Sequence, residues 1–171
     1  MKSNTCGKYK IMLTYINILL TFTYSHTLAH KKSQILQVYS EYQSINMLTN
    51  TIIFTDRVIL KYKNIDLYAD KILISHTEDT HHLSMIEAHG NPVTLNQIQK
   101  MGNMIFAQSS IIHYNTSDDT ITLIGNVYIK QAGNSIKSDK IIYSIKNKQI
   151  KAISNQGNKV ITILSKNPPK K

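Results

Sequence analysis

The residues best suited to bind a metal ion lie in one short stretch between two apolar segments. Five side chains there can ligate a divalent cation: His76, Glu78, Asp79, His81 and His82. Their spacing matches no common structural or catalytic zinc motif, and the sequence offers no second group of ligands to complete a site. We interpret the stretch as a solvated loop, and we predict neither a metal site nor a cofactor.

The sequence carries no recognised catalytic motif. It lacks a glycine-rich phosphate loop, a G-x-S-x-G nucleophile turn and an H-E-x-x-H helix. Asp70 and Asp139 are each followed by Lys and stand at equivalent places of an internal repeat. A catalytic residue rarely occurs twice at a repeat interval, so these two carboxylates are predicted to hydrogen-bond strand ends or loops. The protein is predicted not to be an enzyme.

The elements that carry these residues have a period of two. Val93–Gln99, Ile121–Gln131 and Val160–Leu164 alternate apolar with polar residues or are rich in β-branched residues, as half-buried strands are. No stretch after residue 29 shows a helical stripe with capping residues. The fold class is therefore predicted to be all-β.

Gly-Asn pairs punctuate these strand-like runs at regular intervals. Gly90-Asn91, Gly125-Asn126 and Gly157-Asn158 follow one run and precede the next, and Asp56-Arg57 stands where a fourth pair would fall. The spacing between successive pairs is nearly constant. Because Gly and Asn tolerate positive φ, we predict that these pairs are the tight reversals between strands.

An internal repeat is visible when the chain is shifted so that Thr51 aligns with Thr120. Thr51–Ser75 then matches Thr120–Ser144 without a gap, and identities such as Ile52 with Ile121 recur. A hairpin is not stable alone, so several must share one apolar face. The repeat predicts stacked antiparallel hairpins in a sandwich or jelly roll whose two edge strands are free to pair with another protein.

The N-terminus has the organisation of an export signal. Positive charge at Lys2, Lys8 and Lys10 precedes an apolar run of about 12 residues, shorter than the ~20 that span a bilayer. Cleavage after Ala29 would remove these three Lys and the single cysteine, Cys6, so the net charge falls from +10 to +7. An uncleaved membrane anchor is the alternative. The predicted organisation is a signal peptide at 1–29, a β domain at 30–165 and a flexible tail at 166–171.

The positive charge does not predict nucleic-acid binding. Nucleic-acid binding would require Lys or Arg clustered with exposed aromatic residues on one face. Here the Lys residues are spread over strand ends and loops, and Arg57 is the only arginine. An exported chain also does not meet nucleic acid in its normal compartment.

Several motifs resemble the LptA (OstA-like) family of periplasmic lipopolysaccharide export proteins. The resemblance runs from about Leu36 to Leu164, over nearly the whole chain after the signal. The matching segments are Glu41–Leu48, Phe54–Ile74, Ala88–Gln97, Leu123–Tyr143 and Ala152–Leu164. It departs from the family at Asp56-Arg57, where a Gly-Asn pair is usual.

The resemblance implies both a fold and a function. The expected fold is an open, twisted β-jelly roll of antiparallel strands built from repeated hairpins. The expected function is to bind lipopolysaccharide through lipid A and carry it across the periplasm, as a bridge between the inner and outer membranes in outer-membrane assembly. Expected partners are an LptC-like inner-membrane protein at the N-terminal edge, an LptD-like outer-membrane protein at the C-terminal edge, and further copies of the chain end to end. A membrane-anchored, LptC-like component of the same system is the alternative.

The candidate lipid-binding residues follow from strand alternation together with this resemblance. They are apolar or aromatic residues expected to face an apolar trough that is left open along one side. Lys31, Lys32 and Lys61 are expected at its rim, near lipid A phosphates. The predicted trough residues are Leu36, Val38, Phe54, Val58, Ile65, Leu67, Ile72, Leu95, Ile112, Tyr114, Leu123 and Ile129.

Overall fold

The computed structural model of the protein describes residues 35–78, 82–99 and 103–166, and none of these residues is helical. Within these ranges no helix is long and apolar enough to cross a membrane. The predicted signal at 1–29, Lys31 and Lys32, two of the candidate metal ligands (Asp79 and His81) and all but the first residue of the predicted tail lie outside the described residues. The described strands are β1 Leu36–Tyr39, β2 Tyr42–Asn46, β3 Thr51–Tyr62, β4 Ile65–His76, β5 Leu83–Ile98, β6 Met104–Asn115, β7 Thr120–Gln131, β8 Asn134–Ser144, β9 Gln149–Ile153 and β10 Ile161–Ile163.

All ten strands belong to one antiparallel sheet, in which the long strands β3 to β8 follow one another in chain order. Short strands complete the two ends. β1 and β2 both pair with β3, at opposite halves of its length, while β9 and β10 share β8 in the same way. This arrangement confirms the predicted all-β, open, antiparallel fold.

Each long strand is interrupted near its middle by a break in pairing register. The breaks fall between Thr55 and Val58 on β3 and between Ile124 and Val127 on β7, at matching places of the internal repeat. Similar breaks lie on β4, β5 and β6, so the irregularities line up across the sheet. We call this line the seam. It divides the sheet into a β2–β9 layer and a β1–β10 layer.

The prediction that the Gly-Asn pairs are chain reversals is wrong. Gly90-Asn91 and Gly125-Asn126 lie inside β5 and β7, Asp56-Arg57 lies inside β3, and Gly157-Asn158 lies in the linker between β9 and β10. Gly125 and Asn126 have φ of 80° and 48°, and Asp56 and Arg57 have 65° and 51°. Positive φ is required at these four residues. It does not reverse the chain there; it forms bulges that bend a continuing strand.

The chain reversals alternate between the two margins of the sheet that lie away from the seam. The connections from β2 to β3, β4 to β5, β6 to β7 and β8 to β9 lie at the free margin of the β2–β9 layer. The connections from β3 to β4, β5 to β6 and β7 to β8 lie at the free margin of the β1–β10 layer. Within the described ranges no strand pairing joins the two margins, so the sheet is folded once and left open opposite the seam.

The core lies on the inner face of this fold. Phe54 and Ile72 from the β2–β9 layer share one buried cluster with Leu60, Leu67 and Val127 from the β1–β10 layer. One face of one sheet becomes buried without helices only if the sheet folds back on itself. The bulges therefore create the core, because they bring the two apolar half-faces together.

Candidate functional site

The inner face of the β2–β9 layer carries two continuous apolar rows that cross its strands. The row next to the seam runs from strand to strand through directly paired residues: Phe54, Ile72, Ala88, Ile112, Leu123, Ile141 and Ala152. The next row lies nearer the open side, and we call it the margin row: Ile45, Ile52, Ile74, Ile86, Tyr114, Ile121, Tyr143 and Ile150. Eight strands at a spacing of about 4.8 Å give the margin row a length of roughly 34 Å.

The β1–β10 layer presents a facing row of the same kind. Its paired residues are Val38, Leu60, Leu67, Leu95, Ala107, Ile129, Ile136 and Thr162. From β1 to β8 the two layers thus place apolar side chains opposite each other, whereas the facing row ends on β10 in the polar Thr162. This arrangement is an apolar trough with walls of β-structure.

Burial falls off from the seam toward the open side. Near the seam, Val58, Ile72 and Ile141 are at most 1% exposed. In the margin row Ile74 is still buried, at 4% exposed, but Ile52 and Ile121 are only half-buried, and the terminal Ile45 and Ile150 are 55% and 51% exposed. Apolar surface is therefore accessible along the open side and at both ends of the trough.

The twelve residues predicted from the sequence all lie on this inner face. Phe54, Val58, Leu67, Ile72, Ile112 and Leu123 are buried near the seam. Half-buried residues make up the rest: Leu36, Val38, Ile65, Leu95, Tyr114 and Ile129. Their shared face agrees with the alternation argument, while their contact with lipid stays a prediction. Lys61, expected at the rim, instead lies on the outer face, because Leu60 and Tyr62 beside it point inward.

Sequence reasoning omitted most of the margin row. Ile52, Ile86 and Ile121 pack against the core and remain accessible from the open side, yet they were not among the predicted trough residues. A signal for two of them was present, since Ile52 and Ile121 are identical residues at the repeat offset. Alternation alone marks them as inward-facing but does not show which inward residues lie near the opening.

Tyr114 is a polar residue within the margin row. Its hydroxyl donates a hydrogen bond of 3.1 Å to Asp119 Oδ1 in the turn that follows β6. Burial, followed by the hydrogen bond and the charge of Asp119, raises the pKa of Tyr114 above its ordinary value. The phenol therefore stays neutral at physiological pH, and its ring contributes to the apolar row.

Both repeat-related carboxylates accept hydrogen bonds from backbone amides at the seam. Asp139 bonds a loop, as predicted, whereas Asp70 bonds the bulge inside β5 and not a strand end or loop. Asp70 Oδ2 accepts a bond of 3.2 Å from the Asn91 amide at the bulge of β5. Asp139 Oδ2 accepts one of 2.7 Å from the Asn155 amide, and both its oxygens also accept from the side-chain amide of Asn158. The Asn155 bond, followed by the Asn158 bonds, holds the pKa of Asp139 below its ordinary value.

The candidate metal ligands at residues 76–82 lie between the end of β4 and the start of β5. Among residues 35–78, 82–99 and 103–166, no group of three His, Cys, Asp or Glu side chains is arranged to hold a metal ion. His76 ends β4, and His82 lies in the following loop, where its carbonyl oxygen accepts a hydrogen bond of 2.9 Å from the Thr77 amide. The arrangement that the chain does build is an apolar surface for binding.

Comparison with known proteins gives this trough a family. Residues 37–149 match the family described as LptA/(LptD N-terminal domain) LPS transport protein. The chain belongs to the LptA/LptD N-terminal domain family. The matched residues include every strand from β3 to β8, so the family assignment covers both layers and the seam.

Curated relatives of the LptA/LptD family extend over most of the chain. It is 33% identical over 131 residues to the lipopolysaccharide export system protein LptA of Escherichia coli K12, covering 77% of this chain and 71% of that protein. It is 28% identical over 154 residues to LptA of Haemophilus influenzae, covering 90% of both.

A solved structure shows the same fold. The crystal structure of LptH, the LptA homologue of Pseudomonas aeruginosa, superposes with a TM-score of 0.68 and covers 77% of this chain and 96% of LptH. At 14% identity this similarity supports the fold alone. It agrees with the open jelly roll derived above for this LptA/LptD family member.

Proposed function

We propose that this protein carries lipopolysaccharide across the periplasm, with the acyl chains of lipid A in the trough and the sugars outside. The observation that supports it most directly is the margin row, an apolar strip that runs from one edge of the sheet to the other and is accessible from the open side. The relatives named as lipopolysaccharide export proteins supply the identity of the cargo. No catalytic step is part of the proposed function.

The energetics of acyl chains explain why a trough is needed. Each buried CH₂ contributes about 0.8 kcal/mol, so a chain of a dozen carbons costs on the order of 10 kcal/mol to expose to water. Lipid A carries several such chains, and free diffusion of the monomer through water is therefore negligible. A trough open along its length accepts the chains from the side and leaves the polar part solvated.

Protein partners are expected at the two ends of the sheet. Among the described residues, β1 and β2 leave an unpaired edge at the N-terminal end, and β9 and β10 leave one at the C-terminal end. An open edge pairs readily with another strand. We infer that the N-terminal edge receives an LptC-like inner-membrane protein and the C-terminal edge an LptD-like outer-membrane protein, with further copies of the chain stacked between them.

The strand directions determine how two copies would join. Within the β2–β9 layer, β2 runs away from the seam and β9 runs toward it, because every neighbouring pair between them is antiparallel. If the seams of two copies are aligned, β9 of one copy lies antiparallel to β2 of the next. Ile150 can then continue into Ile45 of the next copy, and the two margin rows form one longer trough.

Site-specific photocrosslinking in cells tests the cargo proposal. A benzoylphenylalanine is placed at Ile121, which faces the trough, or at Thr122, its neighbour on the outer face of the same strand. Both positions are half-buried, so they differ mainly in the face that they occupy. We expect lipopolysaccharide adducts at position 121 and far fewer at position 122; equal labelling, or none at 121 while other family members in the same cells are labelled, would refute the proposal.

A further inference from the structure

The outer face of the sheet has two hollows at equivalent places of the internal repeat. Residues 57–59 and 68–70 line the N-terminal hollow, and their repeat counterparts, residues 126–128 and 137–139, line the C-terminal hollow. Both hollows lie beside the seam, on the face opposite the trough. Their volumes are about 280 and 670 Å³.

The two hollows share a backbone position but differ in chemistry. Tyr128 replaces Ile59 and Lys137 replaces Tyr68 at equivalent places. The Lys137 Nζ lies 5.6 Å from the centroid of the Tyr128 ring, and Gln108 adds a side-chain amide from the neighbouring strand. Both hollows contain an aromatic ring, a cation and a carboxylate, but only the C-terminal hollow has two lysines, Lys137 and Lys159, together with the side-chain amides of Gln108 and Asn158.

The linker between β9 and β10 forms one wall of the C-terminal hollow. Asn158 and Lys159 line it, and the Asp139 carboxylate fixes this part of the chain through its bonds to Asn155 and Asn158. Ser154, at the start of the linker, also lines the hollow, and its Oγ is buried without a hydrogen-bond partner among the described residues. A buried hydroxyl without a partner is unfavourable, so a polar group of a ligand at this place would restore a lost hydrogen bond.

We propose that the C-terminal hollow binds an acidic saccharide. A sugar offers an apolar ring face for Tyr128 and hydroxyl groups for Ser154 and Gln108. An acidic substituent would meet Lys137 and Lys159, while the Asp139 carboxylate, which also lines the hollow, is engaged by Asn155 and Asn158. We assign the acyl chains to the trough and not to this hollow because the hollow lies on the outer face; its lining is mixed, with Val127 and Ile161 beside the polar groups. The inference rests on the proposed function for one source of the ligand, the sugar part of lipopolysaccharide, while cell-wall glycan is a second source with the same chemistry.

Binding to the full-length mature protein tests the site directly. The probes are delipidated core oligosaccharide from lipopolysaccharide, a soluble cell-wall glycan fragment and neutral maltopentaose, titrated by NMR with ¹⁵N-labelled protein. We expect at least one acidic saccharide to shift the amides of residues 154–159 and 137–139. Maltopentaose is expected to bind more weakly, and whichever acidic probe binds identifies the source.

Two substitutions separate a binding role from a structural one. Ser154→Ala removes the unpartnered hydroxyl, so the thermal midpoint of unfolding should be unchanged or raised. The affinity for the acidic saccharide should fall by about five-fold. Lys137→Ala should lower the affinity for the acidic probe by a similar factor. Lys130→Ala, an exposed lysine of the outer face that does not line the hollow, is the matched control and should bind as the unmodified protein does.

Three results would overturn the inference. They are no shift with either acidic probe, shifts elsewhere on the surface, and binding that Ser154→Ala and Lys137→Ala leave unchanged. The crosslinking at Ile121 reports on the trough independently. If it succeeds while saccharide binding fails, the cargo proposal stands and only the hollow is refuted; if both fail, both proposals fall.

Discussion

At each end of the sheet the chain crosses from one layer to the other, but the two crossing segments differ in length and in the bonds that hold them. At the N-terminal end, Ser40 and Glu41 alone connect β1 to β2, and the Glu41 amide donates to the Asp56 carbonyl oxygen at 3.1 Å. At the C-terminal end, the linker of residues 154–160 connects β9 to β10, and the side chain of Asp139 fixes it. A short crossing is held by the backbone, whereas a long one requires a side chain to order it.

This difference has a consequence for the two edges. β10 has only three residues, all of them exposed. One carboxylate holds the linker before it, and the Ser165 amide after it donates to Asn134 Oδ1 at 2.9 Å. β1 and β2 are continuous with their corner and pair with β3 on both sides of it. We therefore expect the C-terminal edge to open more readily than the N-terminal edge.

The largest expected effect concerns joining the two edges. Ile45→Cys combined with Ile150→Cys places one thiol at each end of the margin row, in a mature chain that keeps no other cysteine once residues 1–29 are removed. If β9 of one copy pairs antiparallel with β2 of the next and the seams are aligned, mild oxidation should give a ladder of disulfide-linked oligomers on non-reducing gels. Pairing Ile45→Cys with Lys151→Cys is the control, since residue 151 faces outward; equal ladders from both pairs would contradict the proposed register.

Removing the Asp139 hydrogen bonds that hold the C-terminal linker should have the next largest effect. In Asp139→Ala, Asn155 and Asn158 lose their acceptor, and amide hydrogen exchange in residues 154–163 should accelerate by about ten-fold or more. The repeat-equivalent Asp70→Ala removes a single bond of 3.2 Å inside a long strand and should change exchange much less. Equal acceleration in both variants would show that the linker is no weaker than the rest of the seam.

Acid should loosen the same linker in the unmodified protein. Because the folded-state pKa of Asp139 is below its ordinary value of 3.8, its stabilising effect is present above that value and is lost as pH falls through the lowered pKa. NMR signals of the Asn155 amide and the Asn158 side chain should therefore report the loss only below about pH 4. A transition near neutral pH would mean that another group controls the linker.

A smaller effect, an increase in stability, is expected from relieving the backbone strain at the N-terminal bulge. Asp56 has φ of 65°, where its repeat counterpart Gly125 has 80°. Asp56→Gly should raise the free energy of unfolding by about 0.5–1 kcal/mol, because a left-handed conformation is costly for residues with a Cβ. Asp66→Gly, in a regular part of β4, should lower it instead; chemical denaturation measures both.

The smallest effect is expected at the exposed ion pair of the N-terminal corner. Arg57 contacts the Glu41 carboxylate, but the two side chains are 86% and 38% exposed. Glu41→Gln should therefore lower the free energy of unfolding by no more than about 0.5 kcal/mol in urea denaturation. A loss several times larger would show that the N-terminal corner also depends on a side-chain clamp.

Much of the fold and part of the trough could be predicted from the chain alone. Alternation assigns each residue of a strand to one face, and this was sufficient to place Leu36, Phe54 and Ile129 on the inside. The repeat offset showed that β3 and β4 are equivalent to β7 and β8, which the matching bulges confirm. Neither pattern indicates the depth of a residue below the opening, so Ile86 was missed.

The function of the Gly-Asn pairs could not be read from local sequence. Gly125 and Asn126 need positive φ whether they reverse a chain or bend it, and the two outcomes differ only in what the flanking residues pair with. A Cβ on Gly125 would lie 2.7 Å from Ser110 Oγ on the adjacent strand, a contact that exists only in the assembled sheet. The actual reversals use less conspicuous residues such as Lys63 and Asn64.

The sequence by itself determined the strands, their inward faces and their duplication, because these follow from a two-residue alternation and an internal repeat that can be read along the chain. Only the tertiary structure decided that the bulges align into a seam, that one sheet folds into two facing layers, and that apolar residues form continuous rows from edge to edge. These features depend on the register between strands, and register is fixed by pairing across the whole sheet.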